Sequence, residues 1–312
     1  MKAVLPAAAR PILEPHLPGD LDVAWFAKPN EANAMIADAD IAWVDMQPTE
    51  LVADAIRHAG PNLKWVSTIY AGLDAFPLDT LRENGVTLTN GAGINAVAVA
   101  EYAVMAVLVA AKRFDTVVRA QDRHEWLKDA PGKIELAGTK ALVIGYGTIG
   151  KMIGDRLTAF GVEVTGVTRT GRDGTVTPDA WRDRLDAFEW VILAAPSTDA
   201  THAMIGREEL HRMKPSAWLI NIARGDMIDD DALIAALTDG TIAGAVLDPT
   251  SPEPLPADHP LWSTPNAIVT MHLSGRSQTT MFARGATLFL DNLAAFLAGR
   301  PMKNVADLDA GY

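Results

Sequence analysis

Short apolar, β-rich runs alternate with helical patterns from the first residues of this chain. Lys2 to Leu5, Asp22 to Phe26, Ile41 to Val44, Trp65 to Thr68 and Val86 to Thr89 read as strands. Such alternation implies a parallel sheet covered by helices. A long apolar helical stretch, Ala96 to Arg113, follows, and then a polar segment around Gln121 to Lys133 that contains Trp126, Pro131 and Gly132 and reads as a connection between two domains. A second alternating series comes next, with strands at Ala141 to Ile144, Val162 to Val167, Trp190 to Ala194, Ala217 to Asn221, Ala243 to Leu247 and Ala267 to Met271. Six strands with intervening helices are the inventory of a Rossmann fold. A last helix, Gln278 to Leu297 before Gly299, is long enough to leave this second domain and pack back on the first. The expected division is therefore 1–95 with 280–312, and 96–279. The proline-rich run Pro249 to Pro260 reads as one functional loop.

Length agrees with this division, since 312 residues is about twice the usual single-domain size. Charge then narrows the partners. Lys and Arg number 27 against 39 Asp and Glu, and the net charge of -12 repels nucleic-acid backbones and anionic membrane surfaces. The chain has no cysteine, which removes disulfides, thiolate metal sites and Cys nucleophiles together and suits a reducing compartment. The apolar stretch Ala3 to Ala9 is broken by Pro6 and followed by Arg10 and Pro11, a poor secretion signal, so a cytoplasmic location is expected. Tyr102 to Ala111 is too short to cross a bilayer and reads as a buried helix.

The run Gly145-Tyr146-Gly147-Thr148-Ile149-Gly150 changes the picture most. A GxGxxG run alone is weak evidence, because glycine occurs 24 times here, but this one follows the apolar strand Ala141-Leu142-Val143-Ile144 and precedes a helical pattern, Ile149 to Phe160. In that context Gly145 permits a tight turn, Gly147 lets the backbone approach a pyrophosphate, and Gly150 allows close packing of helix on strand, while the helix N-terminus faces the anion. A dinucleotide cofactor is expected. NAD-binding folds place an acid at the end of the second strand, for the adenosine ribose. Here that position is Thr168, followed by Arg169, Thr170, Gly171 and Arg172. No carboxylate stands there to repel a 2′-phosphate, and guanidinium groups hold phosphate bidentately, so NADP(H) is expected over NAD(H).

Reducing a carbonyl requires an acid for the new alkoxide, a group that keeps that acid charged, and a cation for the carboxylate of an acid substrate. Arg224, in Asn221-Ile222-Ala223-Arg224-Gly225, follows a strand at the sheet edge where ligands of open α/β folds bind, and it reads as a buried arginine. Glu253 lies among the prolines of Pro249 to Pro256. His272 ends the strand Ala267 to Met271 and precedes Leu273-Ser274-Gly275; of seven histidines it alone joins a strand end to a glycine turn. A carboxylate beside an imidazole favours the imidazolium, the form a general acid needs. His202 and His211 lack metal-ligand spacing, no metal is expected, and Ser197 lacks the strained elbow of a hydrolytic nucleophile.

Taken together, these motifs resemble the D-isomer-specific 2-hydroxyacid dehydrogenase family. The resemblance covers most of the chain and is carried by Ala71-Gly72-Leu73-Asp74, Asn90 with Val99-Ala100-Glu101, the glycine fingerprint, Asn221 to Gly225, Asp248, Glu253-Pro254-Leu255-Pro256 and His272. It implies two doubly wound parallel-sheet α/β domains: a flavodoxin-like substrate domain, and a Rossmann dinucleotide-binding domain carrying a dimerisation arm. It also implies that Arg224, Glu253 and His272 are catalytic and that the amides of Ala71 and Gly72 grip the substrate carboxylate. Thr148, Ile149, Pro196, Ile222, Ala223, Asp248, Ser274 and Gly275 would line the cofactor beside Gly145 to Gly150 and Thr168 to Arg172. The implied reaction is reduction of a small 2-oxo acid to the D-2-hydroxy acid in a homodimer joined through the Ala96 to Arg113 helix and the Trp126 region. Three positions depart from the family: Thr168 replaces the usual acid, Met271 the usual proline, and Ser274-Gly275-Arg276 follows the histidine. The Thr168-Arg169 pair is similar to NADPH-preferring glyoxylate and hydroxypyruvate reductases. Formate dehydrogenases share the architecture but resemble a site with glutamine at Glu253. Dinucleotide-sensing corepressors share it too, and the lack of a basic patch argues against them. Tyr70, Met46 and Gln47 read as either pocket or packing residues.

Overall fold

A computed structural model describes residues 1–46, 50–73, 76–172, 174–276 and 280–309. Gln47, Asp74 and Gln278 lie outside the described residues. The chain forms two compact units, Met1–Asn95 with Ser277–Tyr312, and Ala96–Arg276.

The first unit is built on a five-stranded, all-parallel sheet: β1 (Lys2–Pro6), β2 (Asp22–Phe26), β3 (Ile41–Ala42), β4 (Trp65–Ser67) and β5 (Thr87–Thr89). Its order is β2-β1-β3-β4-β5, the flavodoxin-like order that the resemblance implies. Both faces are covered, and period-two alternation sorts the side chains between them. Val4, Ala42, Val66 and Leu88 join one core, while Ala3, Leu5, Ile41 and Trp65 join the other. The second core is closed by the helix Met281–Leu297, whose Phe289 stacks on Trp65 with ring centroids 5.1 Å apart. Arg284 of the same helix donates to the carbonyl of Ile94 at 3.0 Å. This helix therefore completes the first unit although it comes last in the chain.

The second unit carries six parallel strands: β6 (Lys140–Ile144), β7 (Glu163–Val167), β8 (Trp190–Leu193), β9 (Trp218–Asn221), β10 (Gly244–Leu247) and β11 (Ala267–Val269), ordered β11-β10-β9-β8-β6-β7. A single parallel bridge, Val167 to Val176, extends the sheet beyond β7. With that bridge counted as a minimal third strand, the order is that of a Rossmann sheet with one added strand at its far edge. Sequence patterning gives no strand there, because one residue pair carries no periodicity. Leu142, Ile144, Val191, Leu193 and Leu219 pack on one face, and Ala141, Val143, Ile192 and Ile220 on the other.

Several element boundaries differ from the sequence expectation, and two of the differences matter most. The apolar helix stops at Lys112 because Arg113 is left-handed, φ 49°, and a separate helix, Phe114–Asp122, follows, mostly in a stretch to which patterning assigned no element. Strand β11 ends at Val269, so His272 does not close a strand. It and Met271 occupy a turn with φ values of 53° and 58°. Among the described residues no helix is long and apolar enough to cross a membrane.

Candidate active site

The glycine fingerprint joins β6 to the helix Thr148–Ala159. Each glycine has a separate reason to lack a side chain. Gly145 has φ 95°, and a Cβ there would lie 2.3 Å from the amide nitrogen of Ala195. A Cβ on Gly150 would lie 2.2 Å from the carbonyl oxygen of Gly145, so helix and strand touch through backbone. A Cβ on Gly147 would meet no atom within 4 Å, and no side chain caps this helix. Position 147 thus opens on free space at a helix N-terminus that carries partial positive charge, as a pyrophosphate requires. Tyr146 has a different task from its neighbours. Its side chain lies so close to Gly154 and Gly166 that a Cβ on the first would sit 2.3 Å from its hydroxyl and one on the second 2.3 Å from its ring, wedging it between helix and β7.

At the end of β7, the Thr168 hydroxyl is engaged within its own loop. It accepts from the amide of Gly171 at 3.1 Å and lies 2.7 Å from Thr175 Oγ1. Arg169 and Arg172 are exposed on this loop. After β8, Pro196 is exposed and Ser197 donates to Asp226 Oδ2 at 2.7 Å.

Three loops bring the proposed chemistry together at the C-terminal edge of the second sheet. After β9, buried Asn221 donates to the carbonyl of Arg224 at 2.7 Å and accepts from the amide of Ala223 at 3.0 Å, folding 221–224 into a fixed turn. Arg224 is partly exposed rather than buried as expected, because that turn carries it out of the strand, and its Nη1 donates to the carbonyl of Ala223 at 2.8 Å. The next residue, Gly225, makes room for the second loop: a Cβ there would lie 2.0 Å from the carbonyl carbon of Thr250.

In that second loop, Glu253 Oε1 accepts from the Thr250 amide at 3.0 Å, and Oε2 lies 2.9 Å from His272 Nδ1. About two-fifths of each side chain stays exposed, 41% for His272 and 39% for Glu253. Asp248, which is 1% exposed, builds the third loop. Its Oδ1 accepts from Thr270 Oγ1 at 2.7 Å and Leu273 N at 2.8 Å, its Oδ2 accepts from Ser274 N at 3.0 Å, and its carbonyl accepts from His272 N at 2.7 Å. The Asp248 carboxylate therefore shapes the histidine turn. Sequence reading missed this role, and with it the roles of buried Asn221 and half-buried Thr270; a polar residue at the end of an apolar strand is the only signal either offers.

In the first unit, the loop after β4 holds Ala71 and Gly72. Asn90 Nδ2 donates to the carbonyl of Ala71 at 3.3 Å, and Gly91 N to that of Tyr70 at 2.8 Å. Neither the Ala71 nor the Gly72 amide donates to any other described residue. Two adjacent unused N–H groups at a sheet's C-terminal edge suit a carboxylate.

The chain matches the family described as "D-isomer specific 2-hydroxyacid dehydrogenase, NAD binding domain" over residues 104–274. Glyoxylate/hydroxypyruvate reductase B of Pectobacterium atrosepticum is 35% identical over 263 residues, 80% of this chain and 81% of that protein. Among solved structures, a D-isomer specific 2-hydroxyacid dehydrogenase family protein from Aeromonas salmonicida superposes with a TM-score of 0.88 at 28% identity, covering 99% of each chain. The NADPH-dependent glyoxylate/hydroxypyruvate reductase of Sinorhizobium meliloti, in complex with NADP and malonate, gives 0.78 at 25% identity, covering 99% of this chain and 98% of that one.

Proposed function

Because this chain belongs to the D-isomer-specific 2-hydroxyacid dehydrogenase family and is an oxidoreductase that uses a nicotinamide dinucleotide, we propose that it reduces a small 2-oxo acid of the glyoxylate or hydroxypyruvate kind to the D-2-hydroxy acid, with NADPH preferred over NADH. The observation that carries the reading is the 2.9 Å contact between His272 Nδ1 and Glu253 Oε2, in a turn fixed by Asp248.

With Nδ1 held by the carboxylate, Nε2 is the ring nitrogen left to the substrate. Glu253 stabilises the imidazolium, and His272 passes the Nε2 proton to the carbonyl oxygen as it becomes a hydroxyl. Arg224 receives the substrate carboxylate, and so the carbonyl is oriented before reaction. Within the first unit, the adjacent amides of Ala71 and Gly72 are read as a carboxylate grip. When bound, the nicotinamide supplies the hydride that reduces the carbonyl carbon. One hydride on carbon and one proton on oxygen complete the 2-hydroxy acid. The open first turn at Gly147 to Ile149 holds the pyrophosphate, and Arg169 with Arg172 receives the 2′-phosphate of NADPH. The cofactor named for the Sinorhizobium meliloti enzyme agrees with that choice, as does the absence of an acid at Thr168.

The exposed apolar side chains Met105, Phe114, Val117, Val118, Trp126 and Leu127 on and after the 96–112 helix support a homodimer joined through this region. Initial rates with glyoxylate, hydroxypyruvate, pyruvate and phenylpyruvate, each with NADPH and NADH, test the assignment. The highest kcat/KM is expected for glyoxylate or hydroxypyruvate with NADPH. Turnover with none of the four, or a preference for NADH, would overturn it.

A further inference from the structure

One partly buried carboxylate in the first unit has no part in the reaction just described. Asp45 follows β3, at the C-terminal edge of the sheet. It caps no helix and pairs with no cation among the described residues. Its bonds run to Trp43 in its own strand extension and to the loop after the neighbouring β4. Oδ2 accepts from Trp43 Nε1 and from the Ile69 amide, both at 2.7 Å, and Oδ1 accepts from Thr68 Oγ1 at 2.6 Å. Thr68 Oγ1 in turn accepts from the Tyr70 amide at 3.0 Å. On the far side of the same loop, Gly91 and Asn90 bond the carbonyls of Tyr70 and Ala71. Gly91 also packs so tightly that a Cβ there would lie 2.0 Å from the carbonyl oxygen of Ile69.

The run 68–71 is thus clamped from both flanks, by Asp45 beyond β3 and by Asn90-Gly91 beyond β5. A carboxylate is the side chain that suits the β3 flank, because two oxygens take three converging donors with no hydrogen of their own to clash. The arrangement is costly to keep. Burial pushes the Asp45 carboxyl up to about 6, against the bonds from Ile69, Thr68 and Trp43. The amides of Ala71 and Gly72 emerge directly after the segment so fixed.

We propose that Asp45 is a positioning residue for the substrate: through Thr68 and Ile69 it sets the direction of the Ala71 and Gly72 amides and thereby the enzyme's hold on the 2-oxo acid carboxylate. The proposal rests on the reading of those amides as the carboxylate grip. A grip that is misaligned by about 1 Å costs roughly tenfold to a hundredfold in catalytic efficiency. Because the amides bind the carboxylate in ground and transition state alike, the loss falls on KM more than on kcat.

The test compares wild type with Asp45→Ala, Asp45→Asn and Thr68→Val in full steady-state kinetics with glyoxylate, together with NADPH affinity by fluorescence titration. Thr68→Val removes the same link while keeping side-chain shape, and serves if Asp45→Ala fails to fold. Ala71→Pro, which deletes one grip amide directly, reports on the grip itself. Asp45→Ala and Thr68→Val are expected to raise KM about tenfold or more with kcat within about threefold of wild type, and to leave NADPH affinity unchanged. Asp45→Asn, retaining one acceptor, is expected to recover part of the KM. A raised KM in Ala71→Pro alone would overturn the role of Asp45 and leave the grip standing. An unchanged KM in Ala71→Pro as well would overturn the grip and the proposal with it, as would a wild-type enzyme that turns over no 2-oxo acid. A loss confined to kcat or to thermal stability in the Asp45 and Thr68 variants would also overturn it.

Discussion

His272 Nδ1 and Glu253 Oε2 lie 2.9 Å apart although 19 positions separate them in the chain, and a second hydrogen bond holds each residue in place. Glu253 is held through its other oxygen by the Thr250 amide, and the His272 backbone by the carbonyl of Asp248. The carboxylate can therefore fix the imidazole tautomer and stabilise its charge. Glu253→Gln keeps the shape and removes the charge. It is expected to lower kcat for 2-oxo acid reduction about a hundredfold with NADPH affinity unchanged, measured by stopped-flow and fluorescence titration. A wild-type kcat would show that the pair is not part of the proton path.

Gly225 separates the arginine turn from the glutamate loop. Because a Cβ there would lie 2.0 Å from the Thr250 carbonyl carbon, Gly225→Ala must push the backbone that holds Glu253. The expected result is a folded protein, by circular dichroism, with kcat down at least about tenfold, since a displaced catalytic group is costly even at small distances. Full activity in this variant would mean the loop yields without disturbing the pair.

Cofactor choice is predicted to reside in the loop after β7. Arg169→Ala, or the double variant with Arg172→Ala, is expected to weaken NADPH binding by roughly ten- to a hundredfold, the worth of a charge-assisted hydrogen bond, while NADH binding changes little. Equal losses for both cofactors would place the 2′-phosphate elsewhere.

Asp45 also carries a stability signature. With its carboxyl pushed up to about 6 from an ordinary 3.8, the native state holds a proton that the unfolded chain has already released over this interval. Stability therefore falls as pH rises through it. Relative to Asp45→Asn, which does not titrate, wild type is expected to lose Tm between about pH 4 and about pH 7. A Tm difference constant across that range would contradict the raised value.

Most of the architecture was legible because parallel strands buried on both faces write continuous apolar runs, and all eleven named strands have bounds within two residues of the apolar runs. The exception in kind is Val176, whose single bridge leaves no pattern. Arg113 and His272 escaped for another reason: a left-handed residue other than glycine is set by its surroundings, such as the Asp248 carbonyl that takes the His272 amide. The same holds for Arg224, which looked buried from its place after a strand but is turned outward by Asn221. Asp248 was legible as a motif residue and not as the organiser of a turn, because its partners lie 22 to 26 positions away. Asp45, directly after an apolar run, carried a signal of the same kind and passed unread.

In the proposed reaction His272 donates the proton of a dinucleotide-dependent 2-oxo acid reduction. Single-turnover NADPH oxidation by His272→Ala with saturating glyoxylate tests it most directly, alongside NADPH affinity. A rate at least about a hundredfold below wild type is expected, with cofactor affinity unchanged. A rate close to wild type, with NADPH still bound as tightly, would contradict it.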